Sequence, residues 1–365
     1  MKIELDAPNV GELEKKYLNQ AVDQGFVSTF GPLISEFEKK IANYLVVDHA
    51  VAVQSGTAAI YMALYELGIG PGDEVIVPSL TFAATVNPVL YAGATPVIVD
   101  VDAVTWNIDP VKIKGAISKK TKAIIPVHLY GNPCDMDKIM AMAGEHGLYV
   151  IEDATESLGA KYDGKDTGTI GDFGCLSFNG NKLITTGGGG MVVGKDRDKI
   201  DHIRYLVNQS KDKGCPDFHS QMGFNFRMTN VEAALGLAQF ERIEGFLGKK
   251  RNFREIYQQA FNNLAGVSFQ EIRGKDRESS WFTCIQFAQD FDLVQFMQTL
   301  QKKGVPTRRV FRPLHEMPYL KEYSRGCADA SKIYDRGLCL PSSTINEEKD
   351  IKEAAKIIKE AYGKI

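Results

Sequence analysis

Short apolar runs alternate with longer mixed segments through the first half of the chain. "HAVAVQ" (His49 to Gln54), "DEVIVP", "TPVIVD", "KAIIPV" and "LYVIED" are each compact and rich in β-branched residues, the texture of strands buried on both faces. Helical segments lie between them: "SGTAAIYMALYELG", opened by Ser-Gly-Thr, then "AATVNPVLYAG" and "DMDKIMAMAGEHG". Strand, helix, strand at this rhythm predicts right-handed crossovers and a mostly parallel sheet covered on both faces, an α/β architecture. Beyond Gly174 the pattern changes to "CLSF" and "GMVVG", two strands flanking "SFNGNKLITTGGGG" (Ser177 to Gly190).

From about Val231 the periodicity predicts one long helical stretch through "EAALGLAQFERIEGFLGKKRNFREIYQQAFNNLAG". It leads into a mixed α+β region carrying "SSWFTCIQF", "DLVQFMQTLQKKG" and "DIKEAAKIIKEAYG". A chain of 365 residues is long for one small core. The expected division is a large domain over 1–245, N-terminal segment included, and a smaller C-terminal α+β domain over 246–365. "VGELEKKYLNQAVDQGF" reads as an N-terminal helix that is exposed or touches a partner.

Composition acts mainly by exclusion. A net charge of −3 gives no overall reason to expect nucleic acid or an anionic membrane as partner. The longest apolar runs are too short to span a bilayer, and "MKIELDAPNV" lacks the basic and apolar regions of a secretory signal, so a cytoplasmic protein is expected. Six cysteines (Cys134, Cys175, Cys215, Cys284, Cys327, Cys339) are scattered without CxxC spacing, and six histidines without HExxH. Free thiols in a reducing compartment and no metal site are the expectation.

The candidate chemistry centres on Lys182, set between small polar residues and four glycines. This is no Walker loop, because the lysine precedes the glycines and a strand follows them. "GIGPGDEVIV" likewise fails as a dinucleotide fingerprint, since its glycines precede a strand. An ordinary turn lysine is the plain alternative. Yet small and glycine neighbours let an amine lie in a cleft with backbone close to a bound molecule. A desolvated amine there has a lowered pKa and serves as nucleophile and proton carrier. Asp153 ends a predicted parallel strand, where α/β sheets place ligand-binding groups, or else caps a helix. Ser55-Gly56-Thr57 opens a helix directly after a strand, a geometry that favours phosphate. Phe82 in "VPSLTF" is placed to stack on a planar ring or to pack in the core. Pyridoxal phosphate would use all of these: an amine for its aldehyde, a carboxylate for its ring nitrogen, an aromatic face and phosphate donors.

The segments "SGTAAIYMAL", "GDEVIVPSLTFAATVNPV", "GATPVIVDVD", "IEDATESLGA", "LSFNGNKLITTGGGG" and "GFNFRMTNVEAALG" resemble the DegT/DnrJ/EryC1/StrS family of nucleotide-sugar aminotransferases. The resemblance runs from "STFGPLISEFE" to "FRPLHEMP". It implies fold type I of the pyridoxal-phosphate-dependent transferases, like aspartate aminotransferase: a large seven-stranded sheet domain, a smaller C-terminal domain, and a homodimer with shared active sites. It implies Lys182 as the lysine that holds the cofactor, Asp153 as the carboxylate at its ring nitrogen and Phe82 as the stacking aromatic. Gly56, Thr57 and Ser177 take the phosphate positions, joined by Asn225 of "GFNFR" from the neighbouring subunit.

Two residues depart from the family pattern. Glu156 stands near the cofactor's phenolic oxygen, where Gln or His is usual; a carboxyl there must be protonated or turned away. Gly188 replaces the glutamate of "TTGEGG". His315 in "RPLHEMPYL", Arg309 and Trp281 are candidates for facing the substrate, with a structural histidine in a capped turn as the alternative for His315.

"SFNGNK" before a glycine run further resembles the subgroup acting on UDP-linked 4-keto-6-deoxy-N-acetylhexosamines, on routes to legionaminic acid or bacillosamine. The implied reaction moves the amino group of glutamate to a sugar C4 ketone. GDP-4-keto-6-deoxymannose and a 3-keto dTDP-sugar are the alternative substrates. A sugar dehydratase of this fold typically has histidine in place of the lysine. A regulatory homologue would be expected to lose the lysine, the carboxylate or the phosphate group. Lys182, Asp153 and Gly56-Thr57 therefore favour an enzyme.

Overall fold

The computed structural model describes residues 2–215, 217–274 and 276–364. The apolar runs form β1 (His49–Val53), β2 (Glu74–Pro78), β3 (Thr95–Val99), β4 (Thr121–Ile124) and β5 (Tyr149–Asp153). A small antiparallel hairpin follows, β6 (Lys161–Tyr162) with β7 (Lys165–Asp166), then β8 (Phe173–Ser177) and β9 (Gly190–Gly194). Seven strands make one sheet in the order β1-β9-β8-β5-β4-β2-β3. Neighbours from β8 to β3 pair in parallel, and β9 runs antiparallel to both β1 and β8. Val51, Val53, Val75, Val77, Ile151 and Val192 are buried against one layer of helices, Ile76, Val97, Ile124 and Val150 against another. Burial on both faces is what the β-branched runs require.

The expected architecture of a large, mostly parallel seven-stranded sheet is thus the observed one, as is the α/β class. Two helices differ from expectation. In "AATVNPVLYAG" only Asn87–Tyr91 is helical, with Pro88 in its first turn, where a missing N–H costs nothing. The residues before it stay in turns. The long stretch from Val231 is two helices, Asn230–Phe240 and Ile243–Phe261. Neither glycine nor proline marks the break. Arg242 there is held from outside, its guanidinium donating to Asn9 O and Oδ1 and to Glu14 Oε1 at 2.8–3.0 Å. Glu14 belongs to the N-terminal helix Glu12–Asp23, and its buried carboxylate also accepts from Gln239.

The helix Ile243–Phe261 links two cores. Ile243, Phe246 and Leu247 pack beside the large sheet, whereas Phe253, Ile256, Tyr257 and Phe261 pack in a separate apolar cluster. That cluster underlies a second, antiparallel sheet of β10 (Val267–Phe269), β11 (Cys284–Phe287), β12 (Arg308–Arg309) and β13 (Gly337–Cys339), ordered β10-β11-β13-β12. The chain start lies along it too: Ile3 is buried in the cluster, and Glu4 and Asn346 exchange two hydrogen bonds. No helix among the described residues is long and apolar enough to cross a membrane.

One buried cation ties these layers together. Lys250, 5% exposed, donates to the Trp281 carbonyl at 2.8 Å, and burial lowers its pKa to about 7. The unfolded chain, with the ordinary pKa of 10.5, holds more protons than the folded one between pH 7 and 10.5, so this group's penalty fades as pH rises through that window. Lys250→Met removes the titration and orphans one carbonyl. We expect its stability relative to the parent to fall by up to about 4 kcal/mol between pH 7 and 10.5. Urea unfolding of both proteins across that range checks it; a difference independent of pH contradicts it.

Candidate active site

The carboxyl ends of β1, β5 and β8 lie on one edge of the sheet, and the chain leaves each carrying a polar group. After β1, Ser55 caps the helix Gly56–Glu66, its Oγ accepting from Ala58 N at 3.0 Å. The first N–H groups of such a helix lack intrahelical partners and point outward. A Cβ on Gly56 would sit 2.9 Å from Thr155 Cγ2 and 3.1 Å from Ser177 Cβ, so only glycine fits between β5 and β8 here. The glycine run meets the same helix from the other side. A Cβ on Gly190 would lie 2.5 Å from Ser55 C and 2.7 Å from Gly56 N, and Gly189 has φ +100°. The run lets β9 begin against the helix start while leaving Gly188 and Gly189 on the wall of a cleft of about 320 Å³.

Asp153, the last residue of β5, faces this cleft nearly buried. Its Oδ2 accepts from Thr85 Oγ1 at 2.7 Å and its Oδ1 from Thr155 N at 3.2 Å, which fixes the carboxylate plane. Thr85 is available because the segment before Asn87 is not helical. Lys182 sits in the turn between β8 and β9, its N–H bonded to Asn179 O. Its side chain is 13% exposed; Nζ lies 3.6 Å from Glu156 Oε1 and 3.8 Å from the centroid of the Trp281 ring. Burial dominates and lowers the amine's pKa, with Glu156 and Asp153 pulling the other way. Burial likewise raises the pKa of Glu156, against the pull of Lys182 and of the Tyr130 N–H. Each partner therefore sits closer to neutrality than in water.

Tyr130 locks this corner. Its left-handed backbone, φ +56°, turns its N–H onto Glu156 Oε2 at 2.8 Å. Its ring lies 5.2 Å from that of Phe311, and its hydroxyl accepts from Phe311 N at 2.7 Å. The Trp281 indole donates to Asn181 O at 2.7 Å, and its main-chain carbonyl accepts from Lys250, so both the ring beneath Lys182 and its backbone are held.

The cleft thus brings together Gly56, Thr57, Phe82, Asp153, Glu156, Ser177, Lys182 and Trp281. Phe82, 58% exposed, forms one wall with its ring 5.7 Å from Phe311. Three other candidates lie elsewhere. Arg309 stacks on Tyr334 at 4.8 Å, and its neighbour Arg308 lines the cleft instead; consecutive strand residues face opposite ways. His315 is bound by two hydroxyls, Ser79 Oγ at 2.6 Å and Ser331 Oγ at 3.1 Å, and burial lowers its pKa. Asn225 is exposed between Phe224 and Phe226, which with Tyr61 and Tyr91 form an aromatic patch adjoining Ser55 and Thr57. Sequence reasoning missed Thr85, Tyr130 and Arg308. For Arg308 a signal existed, two adjacent arginines in a short strand, but not which of them faces inward.

The chain and its fold have known relatives. A model of the DegT/DnrJ/EryC1/StrS aminotransferase family matches residues 8–359. GDP-perosamine synthase of Caulobacter vibrioides is 42% identical over 357 residues, 96% of this chain and 95% of the relative. GDP-perosamine synthase of Escherichia coli O157:H7 is 41% identical, covering 93% and 94%. A solved DegT/DnrJ/EryC1/StrS aminotransferase from Brucella abortus, 30% identical, superposes with a TM-score of 0.90 over 96% of this chain and 95% of that one. The protein belongs to the DegT/DnrJ/EryC1/StrS aminotransferase family. It is a transaminase whose cofactor is pyridoxal phosphate.

Proposed function

We propose that this protein transfers the amino group of glutamate to the C4 ketone of a GDP-linked 4-keto-6-deoxy sugar, 4-keto-6-deoxymannose being the favoured case. The carrying observation is the buried Lys182 amine, 3.6 Å from the Glu156 carboxyl in a cleft that also holds Asp153 and the helix start at Gly56. Those residues fit the cofactor. The crowding at Gly56 leaves bare backbone N–H groups beside the Ser177 hydroxyl for a phosphate, and Asp153 is presented with its plane fixed for a ring nitrogen. Pyridoxal phosphate, when bound, supplies an aldehyde that exchanges amino groups and a ring that draws electrons from the bond being broken. Lys182 would hold the cofactor through Nζ, and its lowered pKa suits that amine to taking up and releasing a proton. Asp153 keeps a proton on the ring nitrogen. Glu156 in its neutral form donates a hydrogen bond where a carboxylate would repel a phenolate. Phe82 stacks on the ring. By the family resemblance Asn225 of a second copy would join the phosphate site, and a homodimer would then be the working unit.

The preference for a GDP sugar over the UDP-linked N-acetylhexosamine rests on the relatives named above, both GDP-perosamine synthases. The UDP reading keeps the support of the "SFNGNK" segment. Holoenzyme with glutamate, offered each 4-keto-6-deoxy sugar nucleotide separately, discriminates them by the mass of the amino product and its proton couplings. We expect the GDP sugar to be preferred by about 100-fold or more in kcat/KM. The reverse preference, or an amine at C3, overturns this assignment.

A further inference from the structure

We propose that Arg308 binds the carboxylate of the amino donor and thereby selects an α-amino acid as the nitrogen source. The inference rests on the aminotransferase reading of the cleft. Arg308 lines that cleft from β12, with its Cζ 4.6 Å from the ring centroid of Phe282, 5.5 Å from Phe311 and 5.9 Å from Trp281. Three aromatic faces restrict the guanidinium plane before any ligand arrives. The Trp281 ring also carries Lys182 Nζ at 3.8 Å, so both cations border the same part of the cleft.

The hydrogen-bonding capacity of this guanidinium is largely unspent. Its Nη2 is buried with no hydrogen-bond partner among the described residues. Its Nη1 lies 3.7 Å from Asp6 Oδ2, beyond hydrogen-bond reach, and that oxygen already accepts from Asn181 Nδ2 at 3.0 Å. Nη2 is closed to solvent, so a ligand meets the rest of the guanidinium, whose side chain is 34% exposed, and the paired oxygens of a carboxylate suit such a donor group.

Position decides which anion. The donor's α-carboxylate sits on the carbon that bears the transferring amine, one bond from the reaction, so it must come to rest close to Lys182. The diphosphate of a nucleotide sugar is separated from its C4 ketone by the width of the sugar ring. The cofactor phosphate belongs with Gly56, Thr57 and Ser177. Arg308, which shares the Trp281 ring with Lys182, is placed for the donor.

Arg308→Met keeps an apolar stem among the three rings, and Arg308→Lys keeps the charge without the fork. Three readouts test them in holoenzyme: consumption of the bound cofactor's visible absorbance against glutamate concentration, calorimetric binding of glutarate, and amination of the nucleotide sugar by enzyme preloaded with pyridoxamine phosphate. We expect Arg308→Met to raise the half-saturating glutamate concentration and weaken glutarate by about 30-fold or more, with Arg308→Lys between it and the parent. Sugar amination falls by a clearly smaller factor than the reaction with glutamate. Glutamate and glutarate dependence unchanged in Arg308→Met, or a loss confined to sugar amination, overturns the proposal, the latter assigning Arg308 to the diphosphate. If Arg308→Met fails to fold, Arg308→Lys decides by the same readouts. Unmodified enzyme that binds glutarate through Arg308 but never reacts with glutamate would leave the anion site standing and remove the aminotransferase reading instead.

Discussion

Lys182→Ala abolishes turnover, by at least about 10⁵-fold, and with it the visible absorbance of covalently held cofactor. The size follows from two losses at one atom. Nζ is the attachment point for the aldehyde and the carrier of the proton, and no other amine lines the cleft among the described residues. Glu156 is poorly suited to replace it, since burial holds its carboxyl toward the neutral form. Lys182→Arg does not restore activity, because a guanidinium remains protonated at every working pH. Thermal unfolding of the variant, near that of the parent, separates lost chemistry from lost structure. Turnover of Lys182→Ala at an ordinary rate would end the assignment of this residue.

Asp153→Asn is expected to lower kcat by about 10²- to 10⁴-fold while leaving the fold intact. The amide is isosteric and retains an oxygen for Thr85 Oγ1 or Thr155 N, so the walls of the cleft stay in place. It has no negative charge with which to keep a proton on a pyridine nitrogen, and the electron-drawing power of the ring falls accordingly. The signature lies in the split: cofactor retention and KM change little, kcat collapses. A kcat within threefold of the parent (about 0.7 kcal/mol) would place the ring nitrogen elsewhere.

The parallel strands β2, β3 and β5 and the edge strand β1 were legible because each is a compact apolar run bounded by turn residues, a signal held within a few neighbours. Asp153 and Gly56-Thr57 were legible as candidates because each follows or ends such a run, and Lys182 because small residues and glycines surround it between two strands; Ser177 came from the family resemblance alone. Gly188 has no structural explanation: a Cβ there would meet only Glu232 Oε1 at 3.4 Å and Gln54 O at 3.6 Å, which is ordinary contact. The break at Glu241 and Arg242 was not legible, because its cause is an anchor to Asn9 and Glu14, far off in the chain. The same holds for Lys250, which reads as one more helix-surface cation until the Trp281 carbonyl and the second core close over it.

By itself, the order of residues determined the type of each central element, the parallel rhythm of the sheet and the chemical kinds of group at its carboxyl edge. These depend on local preferences: β-branched crowding, helix caps, and glycine where backbone must approach backbone. Only the tertiary structure decided that Glu156 turns toward Lys182, that Tyr130 fastens that carboxyl, and that Arg308 rather than Arg309 enters the cleft. Those outcomes depend on how two separately packed cores meet along the helix Ile243–Phe261. That meeting is set by summed contacts between distant residues, which no short window of sequence contains.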